Sequence, residues 1–348
     1  MATMTIVSRP PENEGMAPLP WRRMAWVTWR QHRAALFGVG AFLGLVSLYL
    51  VISGLHLHHV YSAAVACRPA VSLTCNDLVS SFNSSGDFLS SGLVLQVVPV
   101  LIGAFVGAPL LAREMETGTF RFAFTQGFGR GRFALAKLVS LAVAVTASAG
   151  VISVLTSWYY QPYFLAVNER LGLSETTPFA PGLFDLREVT LAAWTLVAFA
   201  IGALAGMLIR RVVPAIVATL VAYAGLAIAA GSVFRAHYLA PLVTRKLNVT
   251  ALDWTLNQRW TTRGGRSVSQ SVISQVLQAG DPQLAGKGGV PQSLSVWRYL
   301  VGHGYTQWTT YQPTSRLWPF QLIEGSWLLA LSVILIAVTV WLVRGRLT

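Results

Sequence analysis

Apolar residues run along this chain in long unbroken blocks, not in the half-apolar periodicity of soluble helices. Six blocks reach spanning length, since a hydrocarbon core of about 30 Å takes about 20 residues at 1.5 Å of helical rise each. They cover residues 34–55, 91–111, 133–157, 189–209, 212–234 and 325–343. Lys137 is the one charge inside them, close enough to the start of the third block for its stem to snorkel to the interface. Only Arg210 and Arg211 separate the fourth block from the fifth, which predicts a tight hairpin with Pro214 in the first turn of the next helix; a re-entrant segment is the alternative. The pattern predicts an all-α polytopic membrane protein with six transmembrane helices, five of them within residues 34–234 and the sixth within 319–348.

The remaining segments are polar or mixed. Residues 1–20 are polar and proline-rich and lack the apolar core of a signal peptide, so they read as a disordered cytoplasmic tail. In residues 21–33, Met24, Trp26, Val27 and Trp29 alternate with Arg22, Arg23, Arg30 and Arg33. That mixture suits an interfacial helix, with simple basic flanking of the first span as the plainer reading. Residues 235–318 contain Trp254, Trp260, Trp297, Trp308 and Trp318, together with two short amphipathic runs at 267–278 and 294–301. They predict a mainly helical extracytoplasmic subdomain, part of whose 294–318 stretch dips into the membrane.

Composition agrees with the block pattern. Hydrophobic residues make up 54% of the 348, and charged residues 11% against the roughly 25% of soluble domains. The net charge of +13 would point to nucleic acid on a soluble chain. Here it sorts by topology. With the N-terminus inside, the inner pieces hold fourteen of the 26 basic residues and only four acids, Glu12, Glu14, Glu114 and Glu116. That is the positive-inside bias, so both termini are expected in the cytoplasm and no nucleic-acid partner is expected. Cys67 and Cys75 then fall on the outer, oxidising side, as a small disulfide loop or as two free thiols.

Residues 111–133 are the densest charge cluster. Arg113, Glu114 and Glu116 leave the second span directly, Gly118 permits a turn, and Thr119 is placed to cap a following helix that begins with Phe120. Exposed aromatics beside fixed charges suit a protein-docking element; a positive-inside loop is the plain alternative. The run Ala112-Arg113-Glu114-Met115-Glu116-Thr117-Gly118-Thr119, with Thr125-Gln126, Arg130, Arg132 and Lys137 after it, resembles the first cytoplasmic loop of type-2 ABC transporter permeases. Gln126 stands where many members have proline, as in an actinobacterial subgroup. Residues 27–33 (VTWRQHR) and 311–324 (YQPTSRLWPFQLIE) resemble the same subgroup.

The resemblance implies a permease subunit in a bacterial plasma membrane, most simply a homodimer. Two copies of a separate cytoplasmic ATPase would hold ATP and magnesium and would grip a coupling helix within 112–132. Arg113, Glu114, Glu116, Gly118, Thr119 and Phe120 would lie at or near that contact, and the 21–33 helix would be the connecting helix. Substrates would be amphipathic or hydrophobic: drugs, antibiotics, peptides or lipids.

Other motifs are weaker. Gly280 to Gly288 imitates a phosphate loop, but its glycine spacing is one residue too long and no Ser or Thr follows Lys287, so no cofactor is expected on this chain. His56, His58 and His59 lack an evident carboxylate or thiolate partner, so no metal is expected. Glu324 opens the last span, where an acid at membrane depth points to function; Arg316 or a substrate cation is its expected partner, and simple outer-interface placement is the alternative. Gln96 either lines a substrate pathway or makes a helix–helix hydrogen bond. Gly103-x-x-x-Gly107 and Gly202-x-x-x-Gly206 permit close helix packing. A membrane-embedded lipid or glycan transferase would need an intramembrane His or acid pair, and the spans offer little besides Glu324. An ABC-coupled sensory or mechanical subunit that passes no substrate would read much like an exporter.

Overall fold

The computed structural model describes residues 21–67, 73–85, 88–118, 130–168, 177–245, 249–280 and 294–345. The expected 1–20 tail lies outside them. Six helical stretches are long and apolar enough to cross a membrane, and we number them in chain order: Phe37–Ala66, Leu95–Glu116, Ala134–Ala166, Thr190–Ile209, Val212–His237 and Thr314–Gly345. Each predicted block falls on one of them, so neither the fourth nor the fifth is re-entrant. Helix Trp21–Ala66 runs for 46 residues through span one without a break, so residues 21–33 do not form the separate interfacial helix that their composition predicts. A ~30 Å core is crossed by about 20 residues, so this helix projects well beyond it.

Span four is the hub, packing against spans two, three, five and six. Its approach to span two depends on glycine. A Cβ on Gly202 would sit 2.3 Å from the Gly103 carbonyl oxygen, and one on Gly206 would sit 2.4 Å from that of Ala108. The two small-residue motifs therefore face each other. Span two makes a single π turn there, Gly103–Gly107, just before Pro109, whose missing N–H removes one helical hydrogen bond. Leu95, Val98, Ile102, Leu138, Tyr160 and Phe199 fill the core around this contact. Cys67 and Cys75 are joined as a disulfide between the end of span one and helix Leu73–Ser85.

Among the described residues, the segment between spans five and six is not mainly helical. Strands β1 (Leu242–Thr244), β2 (Trp254–Thr262), β3 (Ser267–Val268) and β4 (Tyr305–Gln312) form an antiparallel sheet in the order β1-β4-β2-β3. The long β2–β4 ladder carries one irregularity, between Thr255 and Asn257. β2 is rich in Thr and Trp and β4 in Thr and Tyr, which favour a pleated, half-buried surface without being strongly hydropathic. Helices Gln270–Gly280 and Leu294–Gly302 lie where the amphipathic runs predict them, and they close a small core with Trp260 through Ile273, Leu277, Val296 and Leu300. Residues 294–312 thus belong to this α+β unit.

The unit is fastened to the bundle by a second apolar cluster, Phe179, Phe184 and Phe320 with Tyr238, Trp254 and Leu317 packed around them. Asp253 reinforces the joint. One carboxylate oxygen accepts from the N–H and Oγ1 of Thr314, at 2.8 and 3.0 Å, and the other from the N–H and Oγ1 of Thr250, at 2.8 and 2.9 Å.

Candidate functional site

Span five ends in a π turn, Ala230–Phe234, and a short 3-10 turn that starts at Arg235. This places Arg235 inside the bundle with a side chain only 1% exposed, opposite Glu324, ten residues into span six, which is 0% exposed. Arg235 Nε donates to Glu324 Oε2 at 3.0 Å and Nη2 to Oε1 at 2.8 Å. Trp194 Nε1 of span four adds a donor to Oε1 at 2.9 Å, and Tyr238 Oη donates to Oε2 at 3.1 Å. The Glu324 carboxylate is therefore fully hydrogen-bonded, as burial requires. Arg316, its predicted partner, instead donates to the Ala240 carbonyl and to Gln312 Oε1.

A second acid joins the cluster. Asp185, on the segment between spans three and four, accepts a hydrogen bond from Arg235 Nη2. The guanidinium also lies over the Phe184 ring, 4.1 Å from its centroid. The segment is held in place by Gln321, whose Oε1 accepts from the Thr190 hydroxyl at 2.6 Å and whose Nε2 donates to the Phe184 carbonyl at 3.1 Å. Burial pushes the Asp185 carboxyl up to about 7, against the opposing pull of Arg235 and with a further push from the Glu324 charge. Arg235 and Asp185 escape the sequence reading because each lies outside the apolar blocks, where the default is solvent.

Beside this cluster lies an open-sided cavity of about 720 Å³, lined by Gln96 and Val97 of span two, Asp185, Trp194 of span four, and Tyr223 and Ser232 of span five among mainly apolar neighbours. The structure thus brings Gln96 and the Glu324 cluster to one region, at the end of the bundle opposite Arg210 and Arg211.

The arginine-rich end holds the start of the predicted coupling loop. Glu114 pairs with the Nζ of Lys137, whose side chain is 1% exposed. Lys137 therefore does not snorkel; it ties the end of span two to the start of span three. Glu116 Oε2 accepts from the Val212 N–H at 3.1 Å, capping span five after the hairpin in which Arg210 takes a left-handed φ of 60°. Arg113 is exposed, and Gly118 turns the chain with a φ of 70°. Thr119 and Phe120 lie outside the described residues, as does the rest of the loop to 129. His58 stacks on Trp158 and bonds its carbonyl, and no group of three or more metal-ligating side chains occurs among the described residues.

The family described as ABC-2 membrane transporter related matches residues 40–235, from early in span one to Arg235 itself. Comparison with curated proteins and with solved structures finds no match. The family match covers more than half of the chain and five of its six spans. The chain belongs to the ABC-2 membrane transporter related family and is a multi-pass membrane subunit of the ABC transporter class.

Proposed function

We propose that the chain is the permease subunit of an ATP-driven exporter of amphipathic or hydrophobic compounds. Two permease copies would work with two copies of a separate ATPase, coupled through residues 112–132 on the cytoplasmic side. The observation that carries the coupling reading is the pair of tethers at the mouth of that loop. Glu114 is tied to Lys137 of span three, and Glu116 to the first amide of span five. Force delivered at Gly118 would therefore reach spans two, three and five together, and span four through its glycine contact with span two. The cavity near Gln96 and Asp185 is the site offered to substrate.

Co-purification from the native membrane tests the partner: an ABC ATPase is expected with the chain, and its absence would overturn the reading. The double variant Glu116→Arg, Gly118→Pro tests the coupling. Proline cannot reach the φ of 70° at Gly118, and arginine reverses the charge at the Val212 amide. Permease-stimulated ATP hydrolysis should be lost while the protein still inserts. The fastening of the α+β unit to span six by Asp253 favours a second reading, a mechanical subunit that moves this unit without passing substrate. ATP-dependent efflux from vesicles separates the two.

A further inference from the structure

The two acids of the buried cluster are not equivalent. Each oxygen of Glu324 accepts two hydrogen bonds, so the carboxylate has no capacity left for a ligand. Asp185 accepts from Arg235 through Oδ1 alone, its Oδ2 accepts none among the described residues, and its side chain is 23% exposed. One guanidinium faces two carboxylates, so the ionised cluster carries a surplus negative charge. Arg187 and Glu188, next on the same segment, pair with each other and cancel. Spans two, four and five bring only neutral groups to the cavity wall: Gln96, Trp194, Tyr223 and Ser232.

A carboxylate left uncompensated in apolar surroundings is costly, and a cation offsets the cost. The volume of about 720 Å³ lies within the range of small-molecule sites. Trp194 and Tyr223 meet edge to face with centroids 5.5 Å apart, and aromatic faces attract cations. We propose that this cavity binds an apolar organic cation, its charge against the free oxygen of Asp185 and its body against spans two, four and five. The proposal names a substrate class for the transporter reading and rests on it for purpose, but the binding needs neither ATP nor ATPase. Burial raises the proton affinity of Asp185, against the pull of Arg235, and the Glu324 charge adds to the rise.

The test is equilibrium dialysis of the full chain in nanodiscs, with empty nanodiscs subtracted. The probes are tetraphenylphosphonium and tetraphenylborate, ions of nearly one shape and opposite sign. Saturable binding of the phosphonium and none of the borate is expected at pH 8. Asp185→Asn should weaken phosphonium binding by about tenfold or more, since it removes a direct charge pair. Ala224→Trp, which fills the cavity and leaves the charges in place, should do the same. Between pH 8 and pH 6 the wild-type affinity should fall about tenfold, as protonation of a group titrating near 7 requires, and that of Asp185→Asn should stay level. Equal binding of the borate, or wild-type binding by Ala224→Trp, overturns the proposal. These two arms decide the matter even if Asp185→Asn does not fold. No ATPase enters the assay, so a failed binding test leaves the coupling reading standing, and a failed ATPase capture leaves the binding result standing.

Discussion

Arg235 grips Glu324 with two donors, Nε and Nη2, each on a different carboxylate oxygen, and so locks the end of span five to the start of span six. Both side chains are sealed from solvent, and Trp194 of span four supplies a third anchor. Removing Glu324 leaves Arg235 Nε and Trp194 Nε1 as buried donors without their acceptor, at about 1–3 kcal/mol each, although Arg235 keeps Asp185. Glu324→Ala should therefore lower the thermal unfolding midpoint of the purified protein sharply. Arg235→Lys keeps the charge but loses the planar fork, and should lie between that variant and the wild type. A midpoint unchanged in Glu324→Ala would mean that the pair does not hold these spans together.

Asp185 gives the protein a pH dependence of unusual sign. Its carboxyl titrates at about 7 in the folded chain, against 3.8 for an ordinary aspartate. Between those values the folded state binds more protons than the unfolded one, so stability falls as pH rises through this window. The contribution is complete below the lower value and lost above the upper one. Asp185→Asn removes the titration, and its unfolding midpoint should vary less between pH 5 and pH 8 than that of the wild type. Parallel curves for the two proteins would place the titration elsewhere.

The six spans and the membrane class were legible because each apolar block is long and almost free of charge; no periodicity had to be judged. Glu324 was legible for the same reason, as an acid where acids are expensive. Its partner was not. Arg316 is near in sequence, whereas Arg235 reaches Glu324 only because the π and 3-10 turns at 230–237 carry its side chain back into the bundle. The sheet was missed through a different cause. Residues such as Thr255, Thr306 and Thr310 are mildly polar, so a hydropathy reading passes over them, while their β-branching is the signal that counts. The tethers of Glu114 and Glu116 were not legible, since Lys137 and the Val212 amide are brought to them by packing alone.

The glycine contact between spans two and four gives a contrast within one fold. Gly202→Ala would drive a methyl group to 2.3 Å from the Gly103 carbonyl oxygen, backbone against backbone, so no side chain can swing aside. Overpacking of this kind costs about 1–3 kcal/mol. Gly225→Ala in span five meets nothing within 4 Å and should be neutral or slightly stabilising, since glycine is the poorer helix former. Thermal unfolding of the two variants side by side checks this. A Gly202→Ala protein as stable as Gly225→Ala would mean that spans two and four are not in this contact.

Asp253 joins the α+β unit to span six through the amide and hydroxyl of Thr314, and braces its own turn through those of Thr250. The four donors lie in half-buried or exposed surroundings, so water replaces some of what Asp253→Ala removes. Hydrogen bonds to a charged acceptor contribute about 1.5–3 kcal/mol each when intact, and the loss here should be near the lower figure in total. The helices of the bundle do not depend on this side chain, whereas the turn before span six does. Asp253→Ala should therefore speed proteolysis and amide exchange at residues 249–255 and 312–316 and leave spans one to four protected. If exchange rises throughout the bundle, the unit and the spans unfold as one, and Asp253 is not a local fastening.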